Sequence, residues 1–455
     1  MNYRQFLSAK LSSKPPVGLA KIPELSPALF DFQRNVVNAA LQRGRFAKFM
    51  DTGLGKTICQ LEWAKHVPGN VLILAPLAVA TQTKREGETK LGLDVHHSRD
   101  GSMKGKITVT NYERLHLFDL SKVDAVVLDE SSILKSFMGK TKRQLCESFA
   151  GTRFKLCCTA TPAPNDYMEL GNHSEFLSVM DGSEMLTRWF INDTMNFGHY
   201  RLKGHAVRGF WEWIASWAAC VEKPSDAGGD DTRFVLPELK VKLSTLEADY
   251  ADGAPEGFLF RVPEMSATSM HREKRHSLNA RVARAVELCS EPGCHLVWCE
   301  TNDESEMLAD AFGDRCVEVK GSDSIDEKED RLDAFSRGLV PILVSKPSIC
   351  GFGLNWQHCS HQVFVSISYS YEQFYQAVRR SWRFGQKNPV LIDVVISETE
   401  MPLWRTVSDK MHSHEQMKVA MKFAKLDFAQ GHQVKVDYNP KHKGRFPTWL
   451  QSKAA

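Results

Sequence analysis

Between residues 46 and 156, short apolar runs alternate with stretches whose apolar positions recur every three or four residues. The runs at 46–50, 71–75, 107–110, 125–128 and 154–158 read as strands. They are short, often branched and predominantly apolar, as strands covered on both faces are. Segments 57–67 and 77–91 carry the helical period. Such alternation predicts a parallel sheet whose strands are joined by crossover helices. The pattern then repeats, with strands expected at 295–299, 316–319, 341–344, 362–365 and 391–395 and helices at 303–312, 325–336 and 371–384. The expected fold is therefore α/β, with two tandem parallel-sheet domains, and a chain of 455 residues is about what two cores require.

The intervening stretch has a different character. Trp189, Trp211, Trp213 and Trp217 recur at helical spacing, so 181–225 is expected to be a helical insertion on the first domain. Its tryptophans are expected to form a packed core rather than a base-stacking platform. The polar run from Pro224 to Asp231 then reads as the approach to a hinge. The first domain would span 1–235 and the second 236–455.

Composition narrows the classes. The chain is 42% hydrophobic and 25% charged with a formal net charge of +3, too small to make the whole surface attract a polyanion. Any nucleic-acid contact must come from local basic surfaces. One candidate is the C-terminal segment, where Lys418, Lys422, Lys425, Lys435, Lys441, Lys443, Arg445 and Lys453 face only Asp427 and Asp437; it is either a phosphate contact or a solvated tail. The eleven cysteines include no CxxC pair, which argues against zinc and against a disulfide framework. No 18-residue apolar run occurs, and reduced thiols suit the cytoplasm of a bacterial or phage-infected cell.

The chemistry lies at strand ends. Asp51-Thr52-Gly53-Leu54-Gly55-Lys56-Thr57 follows a strand and opens a helix, the context in which backbone N–H groups and a helix N-terminus cradle phosphate. Thr52, Gly53, Leu54 and Gly55 would supply the cradle, Lys56 would reach the β- and γ-phosphates, and Thr57 would place its hydroxyl on Mg2+. Met50 stands where the full phosphate-loop pattern has its first glycine. Downstream, the strand 125–128 runs into Asp129-Glu130 at the edge of a parallel sheet where ligands bind. Asp129 would hold Mg2+ through water, and Glu130 would polarise the attacking water.

The order of these motifs resembles superfamily-two helicases, and within them the Swi/Snf-like ATPases of compact bacterial or phage type. Leu29-Phe30-Asp31-Phe32-Gln33 looks like their adenine-reading element, with Gln33 reading the base. Leu74-Ala75-Pro76-Leu77 and Val109-Thr110-Asn111-Tyr112-Glu113 look like motifs Ia and Ib, and Cys158-Thr159-Ala160-Thr161-Pro162 like motif III, followed by Asn165, Glu169 and Leu170. In the second half, Val297 to Thr301 falls where motif IV should, Gly351-Phe352-Gly353-Leu354-Asn355 resembles motif V, and Gln376 to Gln386 resembles motif VI with its trailing Gly385-Gln386. Two departures stand out: Ser132 where many relatives carry histidine, and Cys350 in place of a motif V glycine.

The resemblance implies two RecA-like domains with ATP and Mg2+ between them. Arg380 and Arg383, expected on one helix face, would reach across the cleft, Arg383 as the finger and Arg380 on the γ-phosphate. Gln376 would help place the water, Gly353 would line the nucleotide site, and Arg379 would be solvated. Thr110, Asn111, Thr301, Ser345 and Lys346 are candidate contacts to a nucleic-acid backbone. The leading expectation is a DNA-stimulated ATP hydrolase that translocates along double-stranded DNA. The alternatives are a strand-separating or branch-migrating helicase on forked DNA or RNA and, in another class, a nucleotide-gated DNA clamp with little turnover.

Overall fold

A computed structural model describes residues 16–76, 79–136, 138–192, 200–248, 267–350 and 355–429. Two all-parallel sheets dominate it. The first contains β1 (Arg45–Met50), β2 (Val71–Ala75), β3 (Val95–His97), β4 (Ile107–Asn111), β5 (Ala125–Asp129), β6 (Phe154–Thr159) and, after the antiparallel pair β7 (Phe190–Asn192) and β8 (Tyr200–Leu202), β9 (Ala218–Val221). Its order is β3-β4-β2-β5-β6-β1-β9. The second contains β10 (Leu239–Leu246), β11 (His295–Trp298), β12 (Cys316–Val319), β13 (Ile342–Ser345), β14 (His361–Phe364) and β15 (Val390–Ser397), in the order β10-β15-β14-β11-β13-β12. The α/β architecture with two parallel sheets is the one expected of tandem RecA-like domains.

The apolar runs form central strands because helices cover both faces of each sheet. Every residue of β2, β4 and β5 is buried. One face of the first sheet packs Ile73, Val109 and Val127 with Trp63 and Leu61; the other packs Leu72, Val126 and Leu128 with Phe176 and Trp217. Strand ends at the C-terminal edge thus converge on one rim, where Asp129 closes β5 and the loop after β1 begins.

Three departures from the sequence reading have physical causes. The tryptophan-rich stretch is not wholly an insertion, since β9 pairs with β1 as an edge strand of the first sheet. Its run Ala218-Ala219-Cys220-Val221 is too short and small-sided to stand out beside the tryptophans. The tryptophans themselves do form a core: Trp189, Trp211 and Trp217 are buried, and Trp213 stacks on Trp189 at 4.4 Å. Second, β10 lies in the polar approach to the second domain; its side chains are mostly exposed or half-buried, so its apolar signal is weak. Third, the helix Met401–Ala429 leaves the second sheet and returns to the first domain, where Met417 and Met421 join the core around Trp217. Lys418, expected in a basic tail, is buried and bonded to Glu222 at 3.0 Å; Lys422 also pairs with Glu222. Lys418 is thereby withdrawn from solvent, and Lys422 is half-buried between Glu222 and Asp226. The rest of the basic segment from Lys425 onward lies outside the described side chains. No described helix is long and apolar enough to cross a membrane.

Candidate active site

The loop after β1 owes its path to two glycines. Gly53 and Gly55 have φ of +86° and +83°, conformations costly for residues with a Cβ. Space forbids side chains as well. A Cβ on Gly53 would lie 2.9 Å from the Phe384 backbone nitrogen, and one on Gly55 2.4 Å from Gln33 Nε2. The helix Lys56–His66 starts at once, so its N-terminal amides point at the space the loop encloses. Lys56 Nζ donates to the Met50 carbonyl at 3.2 Å, and the buried Lys48 donates to the Lys56 carbonyl at 2.6 Å, bracing the loop from beneath. Gln33 is buried against this loop, its Nε2 donating to the Leu54 carbonyl at 2.8 Å. Thr57 is half-buried on the first turn of the helix.

The carboxylates stand opposite. Asp129 is buried at the end of β5 and accepts a 3.2 Å hydrogen bond from Gln60 Nε2; its carbonyl accepts one of 2.7 Å from the Tyr112 hydroxyl. Glu130 adopts φ +53°, a left-handed turn that swings it off the strand line, and Thr159 donates to it at 3.3 Å. Burial raises both carboxyls above the usual range, while the nearby Lys56 ammonium opposes the rise. Two polar groups here, Gln60 Oε1 beside Asp129 and Gln376 Nε2 across the cleft, are buried without a hydrogen-bond partner among the described residues. A set with one aspartate, one threonine hydroxyl and room for further oxygens fits magnesium held mainly by phosphate and water. Among the described residues no group of three His, Cys, Asp or Glu forms an all-protein metal cage.

The second domain supplies cations. The helix Tyr371–Val378 ends earlier than its period suggested, with Arg379 at its C-cap, so Arg380 and Arg383 do not share a helix face. They lie in the turns that follow. Arg380 is buried, its guanidinium held by the Gln376 carbonyl at 2.8 Å and the Gln376 Oε1 at 3.1 Å. Burial, with Arg383 nearby, lowers its pKa to about 9, and the Glu130 carboxylate of the first domain opposes the fall. Arg383 donates to Asn355, and burial lowers it to about 10. Gly353 lies outside the described residues.

Sequence reading misplaced Arg379. It is buried, not solvated, and pairs with Asp51 at the head of the loop, which also accepts from the Tyr375 hydroxyl. Asp51 was visible as a loop residue, but nothing in the sequence marked its partner. An aromatic rim was missed as well: Phe234, from the connection between the domains, stacks on Phe384 at 4.7 Å and meets Phe30 edge-on at 5.3 Å.

The expected nucleic-acid contacts fare unevenly. Thr110 and Ser345 are fully buried and spend their hydroxyls on the Ser98 and Val319 carbonyls, so neither offers a surface to a phosphate. Asn111 is buried at the end of β4. Thr301 caps the helix Asn302–Phe312 through a reciprocal pair with Glu304. Lys346 reaches Asn302 at 2.7 Å and remains at the surface.

Residues 279–385 match the helicase conserved C-terminal domain. That segment is similar to the C-terminal domain of helicases. That match spans β11 to β14 and includes Gln376, Arg380 and Arg383, which is the half that faces the phosphate loop. The chain is also similar to protein p41 of Acyrthosiphon pisum secondary endosymbiont phage 1, at 23% identity over 442 residues, covering 81% of this chain and 92% of that protein. Helicases in general use ATP and Mg2+ and bind nucleic acid, which is what the match of this segment implies in general terms.

Proposed function

We propose that this chain is a nucleic-acid-stimulated ATPase that couples hydrolysis to translocation along double-stranded DNA, in the manner of the Swi/Snf-like branch. The observation that carries the reading is the close approach of the phosphate loop to the arginine turn: a Cβ on Gly53 would stand 2.9 Å from the backbone nitrogen of Phe384, the residue after Arg383.

Each group has a chemical task. Phosphoryl transfer spreads negative charge over the γ-oxygens, so preplaced cations that meet this charge accelerate it. Lys56 and the loop amides would bind the phosphates, and Thr57 and Asp129 would hold magnesium. Glu130 would orient and polarise water, with Gln376 Nε2 free to help. Arg383 and Arg380 would arrive from the opposite domain as the cleft closes. Because the arginines and the loop belong to different domains, hydrolysis and domain motion are coupled. Nucleic acid lying across both domains would be gripped alternately, through backbone phosphates that carry no sequence information. Lys346, and Thr301 through its place at a helix start, are the remaining candidates for that grip. The similarity to a phage protein suits the cytoplasm of a bacterial or infected cell.

Duplex over single strands is favoured by the Phe384-Gly385-Gln386 ending of the arginine segment. Triplex displacement on duplex DNA, run beside fork unwinding, tests this. Displacement without unwinding is expected. Vigorous unwinding without displacement assigns a strand-separating helicase instead, and DNA binding with no turnover assigns a clamp.

A further inference from the structure

The base of the cleft holds a set of charges that the proposed hydrolysis does not itself use. Asp51 precedes the phosphate loop and is buried; its carboxylate accepts from the Thr52 amide at 2.6 Å, from the Tyr375 hydroxyl and from the Arg379 guanidinium. Arg379 is held in several ways at once. Its other nitrogen donates to the Trp382 carbonyl at 3.3 Å, and its plane lies 4.3 Å from the Trp382 ring and 5.2 Å from the Tyr375 ring. Trp382 in turn donates to the Pro237 carbonyl of the interdomain connection at 2.7 Å. Lys418, from the helix that returns to the first domain, sits 5.6 Å over Tyr375 and is bonded to Glu222. Arg379 therefore joins the turn that carries Arg380 and Arg383 to the residue that heads the phosphate loop. Breaking a buried pair of this kind strands a charge, which is costly, so the contact holds a definite register.

We infer that Asp51 and Arg379 form an interdomain register latch, with Arg379 a positioning residue that sets Arg380 and Arg383 against the phosphate loop. The inference rests on the ATPase reading for its kinetic consequence and on geometry alone for its mechanical one. The burial of Asp51, offset by Arg379 and Lys418, leaves its carboxyl at about 2, so the latch is charged throughout the neutral range.

The test uses the full chain with Arg379→Gln, Asp51→Asn and the double variant. Three quantities are read: turnover at saturating ATP, affinity for a fluorescent ATP analogue, and the distance distribution between spin labels carried at the exposed Lys104 and Asp303, one in each domain. Each single variant is expected to lower turnover by about tenfold to a hundredfold, the effect of displacing catalytic groups by about an ångström. Affinity should hold, the double variant should be no worse than the worse single, and the distance distribution should broaden. Arg379→Lys, which keeps the charge but loses the guanidinium that reaches both Asp51 and the Trp382 carbonyl, should recover part of the turnover. Unchanged turnover and distances, additive losses, or turnover falling only in step with affinity and melting temperature would each overturn the latch. If the wild-type chain hydrolyses no ATP, the ATPase reading fails by itself. The distance measurement then still decides: a broadened distribution supports the latch, and an unchanged one removes it.

Discussion

In the proposed mechanism Glu130 and Arg383 divide the chemistry between water and phosphate, and single substitutions separate them. Glu130→Gln keeps the shape but loses the polarising charge, so nucleotide binding should persist while turnover falls by roughly a hundredfold or more. Lys56→Ala should weaken binding as well. Arg383→Ala removes a transition-state cation and should cost about a thousandfold in turnover with little change in affinity. Turnover in the wild-type range for either Glu130→Gln or Arg383→Ala would remove that residue from the site. Glu169 gives a different, pH-resolved prediction. Burial lifts its carboxyl to about 7, against hydrogen bonds from Asn165 and with Asp166 and Glu372 adding to the rise. The folded chain then holds this proton more tightly than the unfolded chain, whose glutamates titrate near ~4.3. Its contribution is a stability that declines as pH rises from about that value to about 7. Glu169→Gln should flatten this decline in thermal unfolding measured across the interval; an unaltered slope would show that Glu169 is not the group responsible. At this scale the candidate phosphate-side residues were visible in the sequence, because phosphate cradles and strand-end carboxylates are local patterns. It hid the partners of Asp51, since Tyr375 and Arg379 lie more than 320 residues away and only folding brings them together.

Among the elements, central strands were legible within a residue or two, because strands buried on both faces are continuously apolar. Edge strands β3, β9 and β10 were not, being short or half-exposed and weak in pattern. The arginine helix was read too long, as periodicity continues through Trp382 although the backbone turns at Arg379. Hydroxyls posed a further difficulty. Thr110 and Ser345 looked like loop contacts but close their strands as buried residues, whereas Thr301 is a cap. Thr301→Ala should therefore cost about 1 kcal/mol in stability, and DNA affinity measured alongside separates capping from phosphate contact. A large affinity loss with unchanged stability would restore it as a phosphate contact. The returning helix Met401–Ala429 makes its own prediction. Met417 is fully buried in the first domain's core, so Met417→Ala should destabilise by roughly 2–5 kcal/mol. Denaturant titration would detect this, and a change below 1 kcal/mol would mean that the helix does not dock as described.

Taken whole, the molecule is two parallel-sheet domains held by a buried ion pair at the cleft, a stacked aromatic rim and a helix that ends on the domain it did not start from. On the proposed reading, hydrolysis is stimulated by whatever the two domains grip together. Backbone contact makes that grip steeply salt-dependent and indifferent to sequence. The most direct measurement is ATP turnover by the purified full chain with duplex DNA, single-stranded DNA or RNA at one salt concentration, with Glu130→Gln as the control. Turnover raised most by duplex DNA and abolished by the substitution is the expected result; turnover that no nucleic acid changes, or that survives in Glu130→Gln, would contradict it.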